Sequence, residues 1–170
     1  MRQDLFDKMA LIRKTALLAR IIEALHNNLA VLDKAARAAH AEATHESSKA
    51  ENKYDTRGLE AAYLAGGQAR QAKEILESIK VYGSLHLKEF GAAEPIDLSA
   101  AVELETEGAI GIYFIGPRSG GLEVDYEGEE IMVITPQSPL GQQLMGKKAG
   151  QRWTANFNGS RMNYRIVSVT

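Results

Sequence analysis

The chain has 170 residues, 45% of them apolar and 25% charged, with a formal net charge of −2 and no cysteine. That length holds one compact domain or two small ones, and without cysteine there is neither a disulfide framework nor a thiolate metal or redox site. No apolar run approaches the ~20 residues needed to span a bilayer, and the N-terminal MRQDLFDKMALIRK lacks the features of a signal peptide, so a cytoplasmic protein with no membrane contact is expected.

The first 82 residues contain no proline and are rich in Ala, Leu, Glu, Gln, Lys and Arg, which are good helix formers. Leu18, Ile22, Leu25, Leu29, Leu32, Ala36 and Ala39 follow the alternating three- and four-residue steps of a coiled-coil seam. Gly58, Ala62, Ala65, Ala69, Ala72, Leu76 and Ile79 follow them too. Folded back on each other, the sets match in pairs such as Leu25 with Leu76 and Ala36 with Ala65, with the bend between residues 50 and 51. An antiparallel helical hairpin is expected over 1–82, with its tip at about 45–55. The seam tapers from large residues to alanines, so the helices approach most closely near the tip.

The tip, HESSKAENKYDTRG, is the most polar stretch of the chain. Ser48 and Glu51 have capping-box spacing, which would make Glu51 the lid of the second helix. Glu46, Glu51 and Asp55 offer carboxylates, and one or two carboxylates with water and substrate oxygens suit Mg²⁺. A solvated helix face and a cation-handling tip both account for them.

After residue 83 come all four prolines and the runs IGIYFIG and EEIMVITP, with the β-branched and aromatic bias of strands. GPRSGG, 116–121, reads as a hairpin turn between IGIYFI and LEVDY, because it lacks the GK[ST] of a phosphate loop. Charge is segregated. Residues 94–130 hold ten acids and one base, Arg118, whereas 131–170 hold Lys147, Lys148, Arg152, Arg161 and Arg165 and no acid. Such strands either pair across a sheet or present a basic face to an acidic protein. A generic nucleic-acid binder would be more basic overall.

VITPQSPLGQQLMGKKAGQRW, 133–153, resembles the strand–helix–turn of the Gre family of transcription elongation factors. The matching positions are Ser138, Pro139, Leu140, Gly141, Leu144, Gly146 and Lys147. SRMNYRIVSV resembles that family's last strand, and KAENKY stands where its members have an acidic Glu-Asn tip. The resemblance implies an α+β protein: an N-terminal antiparallel coiled coil over 1–82 and an FKBP-like antiparallel β domain with a short helix over 83–170.

It also implies a function. Gre factors dock their C-terminal domain at the rim of the RNA polymerase secondary channel and insert the coiled coil. Tip acids then help the polymerase to hydrolyse backtracked RNA at its 3′ end. The factor is no enzyme itself and has no intrinsic cofactor. Carried onto this chain, Ser138, Pro139, Leu140, Gly141, Leu144, Gly146, Lys147 and Lys148 would bind polymerase. Glu51, Asp55 and Glu46 would assist cleavage, Glu51 and Asp55 sharing an Mg²⁺ with the polymerase site. The family's tip Asp, three residues before the Glu, is Ser48 here. A monomeric cleavage-stimulating factor, a non-cleaving occupant of the channel and a dimerising coiled-coil interaction protein are therefore all open readings.

Overall fold

The computed structural model describes residues 2–44, 57–91, 93–157 and 159–170, with side chains described within 13–41, 64–91, 93–156 and 159–170. Helix α1 runs Arg2–Thr44 and helix α2 Arg57–Gly83. Strands follow at Ala101–Thr106 (β1), Ala109–Ile115 (β2), Glu123–Tyr126 (β3) and Glu129–Ile134 (β4). A short helix, Pro139–Leu144 (α3), precedes Arg152–Phe157 (β5) and Ser160–Val169 (β6). Helices followed by a six-stranded sheet with one short helix is the α+β architecture expected. The tip carboxylates Glu46, Glu51 and Asp55, and Ser48 with them, lie outside the described residues.

Two compact units are present. One takes the chain up to Ile22 and from Val81 onward, and the other is Glu23–Lys80. The N-terminal part of α1 groups with the sheet. The expected boundaries placed it wholly with the helices.

In the helical unit, α1 shelters the expected seam, burying Leu25 and half-burying the residues beyond it. Leu25 is 2% exposed, and from residue 26 to 41 only Leu29, Leu32, Ala36 and Ala39 are not fully exposed. The α2 seam has the expected period but a different phase. Gln68, Ala72, Ile75 and Ile79 are sheltered, Ser78 is buried, and Leu76 is 52% exposed. The pairing of Leu25 with Leu76 therefore fails. From Ala72 to Ile79 the steps three-then-four and four-then-three are equally periodic, so the pattern alone cannot choose between the adjacent apolar residues Ile75 and Leu76.

The sheet has the order β3-β4-β2-β1-β6-β5. Among the described residues its pairs are antiparallel except β2 with β4, which is parallel, Ile112 facing Ile131 and Ile115 facing Ile134. Because β4 lies between β2 and β3, GPRSGG is no hairpin turn. It carries the chain past the end of β4, anchored by Gly116 N–H to Ile134 O at 2.9 Å and Gly121 N–H to Val133 O at 2.8 Å. Among the fully described connections, the tight turns are two Glu-Gly pairs. Glu107 (φ 49°) with Gly108 (φ 84°) joins β1 to β2, and Glu127 (φ 55°) with Gly128 (φ 83°) joins β3 to β4. Two successive positive φ angles match the twist of a two-residue hairpin.

One sheet face packs Val102, Leu104, Ile115, Ile134, Tyr164 and Ile166 against Ile96 and Leu144. Each fully buried Ile, Leu or Phe contributes roughly 1.5–3 kcal/mol. The other face buries Phe114, Val133, Ile131 and Val124 at its β3–β4–β2 end. The first part of α1 and Tyr82 belong to the same unit, and Leu17 (3%), Ile21 (0%) and Tyr82 (0%) are buried in it. Tyr82 Oη donates to Arg118 O at 2.7 Å, and Arg13 lies 3.9 Å from Glu127. Burial pushes the Tyr82 phenol well above its ordinary value.

The segment between α2 and β1 is fastened at several points. Lys14, 2% exposed, donates from Nζ to Lys88 O and lies 4.5 Å from the Phe90 ring centre. Lys88 N–H donates to the hydroxyl of Ser99 at 2.9 Å, and Lys88 Nζ meets Asp97 at 2.7 Å. Burial brings the Lys14 ammonium down to about 8, against the opposing pull of Glu89 and Glu94. Ser99 is fully buried with φ 70°, a left-handed conformation uncommon outside glycine.

Candidate docking surface

The segment after β4 is built by local hydrogen bonding. Ser138 caps α3: its hydroxyl accepts from Gly141 N–H at 3.0 Å and donates to Thr135 O at 2.8 Å. Pro139 follows at the first helical position, where its missing N–H costs nothing. A side chain at Gly141 would collide with the Thr135 carbonyl oxygen. Leu144, fully buried, joins the core. The exit turn is clamped to the preceding segment, with Gly146 N–H to Ile96 O at 2.9 Å and Ile96 N–H to Lys147 O at 2.7 Å.

Three elements converge on Trp153. Its ring stacks on Tyr164 at 5.1 Å with the planes 14° apart, its Nε1 donates to Gln143 at 2.7 Å, and Lys147 Nζ lies 5.2 Å from its ring centre. Lys148 is held by its backbone, N–H to Gln151 Oε1 at 2.8 Å, and is exposed. The eight residues read from the sequence thus have different places. Gly141 and Leu144 are buried and reach no partner while the domain is folded; they shape the turn. Ser138 is half-buried with its hydroxyl engaged twice, and Leu140 is half-buried against the core. Pro139, Gly146 and Lys148 are exposed, and Lys147 is half-buried beside Trp153. Gln142, which the sequence reading passed over, is exposed on the same short helix. A spacing of three from Pro139 would have marked it.

Among the described residues no three His, Asp or Glu side chains cluster as metal ligands. No helix there is long and apolar enough to cross a membrane.

Residues 120–170 match the family of transcription elongation factor GreA/GreB C-terminal domains. The matched stretch includes the motif around Ser138 and Lys147 on which the resemblance was read. Among solved structures, the chain is similar to Gfh1 of Thermus aquaticus, at 26% identity and a TM-score of 0.36, with 86% of this chain and 92% of that one covered. It is also similar to a structure titled as the transcription factor Gfh1, at 24% identity and a TM-score of 0.38, covering 87% and 92%. A GreA/GreB elongation factor from Nitrosomonas europaea is similar at 19% identity and a TM-score of 0.35, covering 69% and 95%. No curated protein sequence matches the chain.

Proposed function

We propose that the chain is a cytoplasmic transcription elongation factor that binds RNA polymerase through the exposed side of the α3 turn. On this reading it carries the helical tip into the secondary channel and stimulates cleavage of backtracked transcripts there. The match of residues 120–170 to the GreA/GreB C-terminal family supports this reading. Within it, Pro139, Gln142 and Lys148 form the exposed side of a turn whose internal hydrogen bonds and buried Leu144 hold it rigid. Lys147 and Lys148 add positive charge to that surface and speed the approach to an acidic one.

The chemistry belongs to the polymerase, and this chain contributes positioned carboxylates. Glu51 is the first candidate and Asp55 or Glu46 the second. A shared Mg²⁺, when bound, would supply an activated, oriented water and charge neutralisation at the scissile phosphate. Ser48, standing where an acid is expected, favours a second reading in which the tip occupies the channel without cleavage.

Stalled, backtracked elongation complexes test both. Wild type should shorten the RNA, Glu51→Ala should not, and Ser48→Asp should enhance the effect. If all three bind polymerase and none cuts, the second reading stands. Lys147→Glu with Lys148→Glu should weaken co-purification with polymerase and make the remainder less salt-sensitive. Undiminished co-purification would place the contact elsewhere.

A further inference from the structure

Three of the five bases in the acid-free stretch come together on a face that the docking surface does not use. Arg152, Thr154 and Asn156 on β5 stand directly opposite Arg165, Asn163 and Arg161 on β6. All six side chains are exposed and share one face of the ribbon. Thr154 Oγ1 donates to Asn163 Oδ1 at 3.0 Å, which fixes that orientation. Trp153 and Tyr164 stack on the other face.

The charge on this ribbon is only partly neutralised. Glu105 on β1 meets Arg165 at 3.3 Å, which accounts for one guanidinium. Arg152 stands across from Arg165 with no ion pair of its own among the described residues, and so does Arg161 across from Asn156. Like charges directly opposite in a sheet are destabilising, so the Arg152–Arg165 pair costs the fold some stability. A groove of about 440 Å³ opens beside it, lined by Glu105, Glu107, Arg152, Thr154, Asn163 and Arg165 together with the aromatic pair Trp153 and Tyr164. Acids concentrate at the opposite edge of the sheet, where Glu123, Asp125, Glu127, Glu129 and Glu130 lie on β3, β4 and their turn. The small net charge of the whole chain therefore conceals two edges of opposite sign.

Residue types distinguish the possible partners. Protein interfaces centre on apolar and aromatic anchors, and single strands are held by stacking on aromatic rings. The six outward side chains of β5–β6 include neither, although Trp153 and Tyr164 border the groove from the ribbon's other face. The exposed apolar side chain of this sheet face, Ile110 (64% exposed), lies two strands away beyond Glu105. Arg, Thr and Asn are instead among the side chains that contact duplex phosphates without reading sequence.

We propose that the outer face of β5–β6 is a contact for the phosphate backbone of duplex DNA, with Arg152 and Arg161 on phosphates and Thr154, Asn156 and Asn163 beside them. The choice of DNA rests on the transcription reading; the phosphate chemistry does not. Two free guanidiniums make a weak contact, which becomes effective when another attachment holds the protein close to DNA.

The test is fluorescence anisotropy with a labelled DNA duplex of mixed sequence, at low salt and with no polymerase present. Wild type should bind independently of sequence. Arg152→Gln with Arg161→Gln should weaken binding about tenfold and flatten the log–log salt slope by ~1.8, the value for two lost phosphate contacts. Lys34→Gln with Lys73→Gln changes net charge equally, on exposed helical positions, and should leave binding unchanged. Equal losses in the two variants would reduce the effect to net charge and overturn the proposal. So would absence of duplex binding, or a preference for single strands. Capture of a polyglutamate peptide in place of DNA, lost on Ile110→Ser, would assign the face to an acidic protein. Polymerase co-purification, measured separately, keeps failure here distinct from failure of the transcription reading.

Discussion

Replacing Lys14 with methionine tests whether a buried ammonium is being held against its solvation. Lys14 is 2% exposed and its ammonium falls from 10.5 to about 8 in the folded chain, chiefly through burial. At neutral pH it is charged in both states, and the folded state bears the desolvation. Between about 8 and 10.5 the unfolded chain binds more protons than the folded one, so stability rises with pH across that window. The full shift corresponds to roughly 3 kcal/mol, and by pH ~9.5 about 2 kcal/mol of it has been regained. Tyr82, Tyr113 and Tyr126 are all raised. They lower stability as pH passes their unfolded value, but equally in wild type and variant, so the difference between the two isolates Lys14. Lys14→Met also leaves Lys88 O without its donor, a penalty of about 1–3 kcal/mol that does not depend on pH. Denaturant unfolding followed by Trp153 fluorescence at several pH values between 7 and ~9.5 reads the unit to which both residues belong. The wild type should gain about 2 kcal/mol relative to the variant over that range. Parallel stability curves would refute the reasoning, since they would mean that the ammonium is as well solvated folded as unfolded.

Other perturbations have equally definite outcomes. Leu25→Ala should destabilise the helical unit by roughly 2–5 kcal/mol, whereas Leu76→Ala should change it by less than about 0.5 kcal/mol; thermal unfolding by far-UV circular dichroism separates them, and equal losses would restore the seam through Leu76. Gly141→Ala must displace the Thr135 carbonyl and break the Ser138 cap, so it should cost more than the ~1 kcal/mol of a lost cap alone, seen as a lowered melting temperature with altered Trp153 fluorescence. Ser99→Ala keeps the unfavourable φ and leaves Lys88 N–H without its acceptor, a loss of about 1–3 kcal/mol; Ser99→Gly loses the same bond but relieves the backbone, and calorimetry should find it the milder change.

Much of the fold could be read from residue types, for reasons the structure makes plain. A proline-free, alanine- and leucine-rich stretch has no competitor to helix, and along α1 the spacing marks Leu29, Leu32, Ala36 and Ala39 individually. Where two apolar residues adjoin, as at Ile75 and Leu76, period alone cannot fix the phase. The parallel pairing of β2 with β4 was illegible because it joins strands separated by another strand, and local turn chemistry at 116–121 says nothing of what crosses there. Lys14 was passed over as one more charge on a helix. Its three- and four-residue spacing to Leu17 and Ile21 was the available sign that it lies on a buried face. The motif around Ser138 was legible as a unit, yet its most specific members, Gly141 and Leu144, serve the turn and core. Short motifs record what a backbone needs as well as what a partner touches, and burial is what separates the two.

The sheet-bearing unit is discontinuous in sequence, and this has a consequence during synthesis. Its first part, ending at Ile22, leaves the ribosome before residues 23–80, and its remainder begins only at Val81. At translation speeds of about 5–20 residues per second, the intervening 58 residues take roughly 3–12 s to appear. Throughout that interval Leu17 and Ile21, destined for full burial, have no sheet to fold against. Charged Lys14 beside them makes the nascent helix less sticky while it waits, so the residue that burdens the finished protein protects the unfinished one.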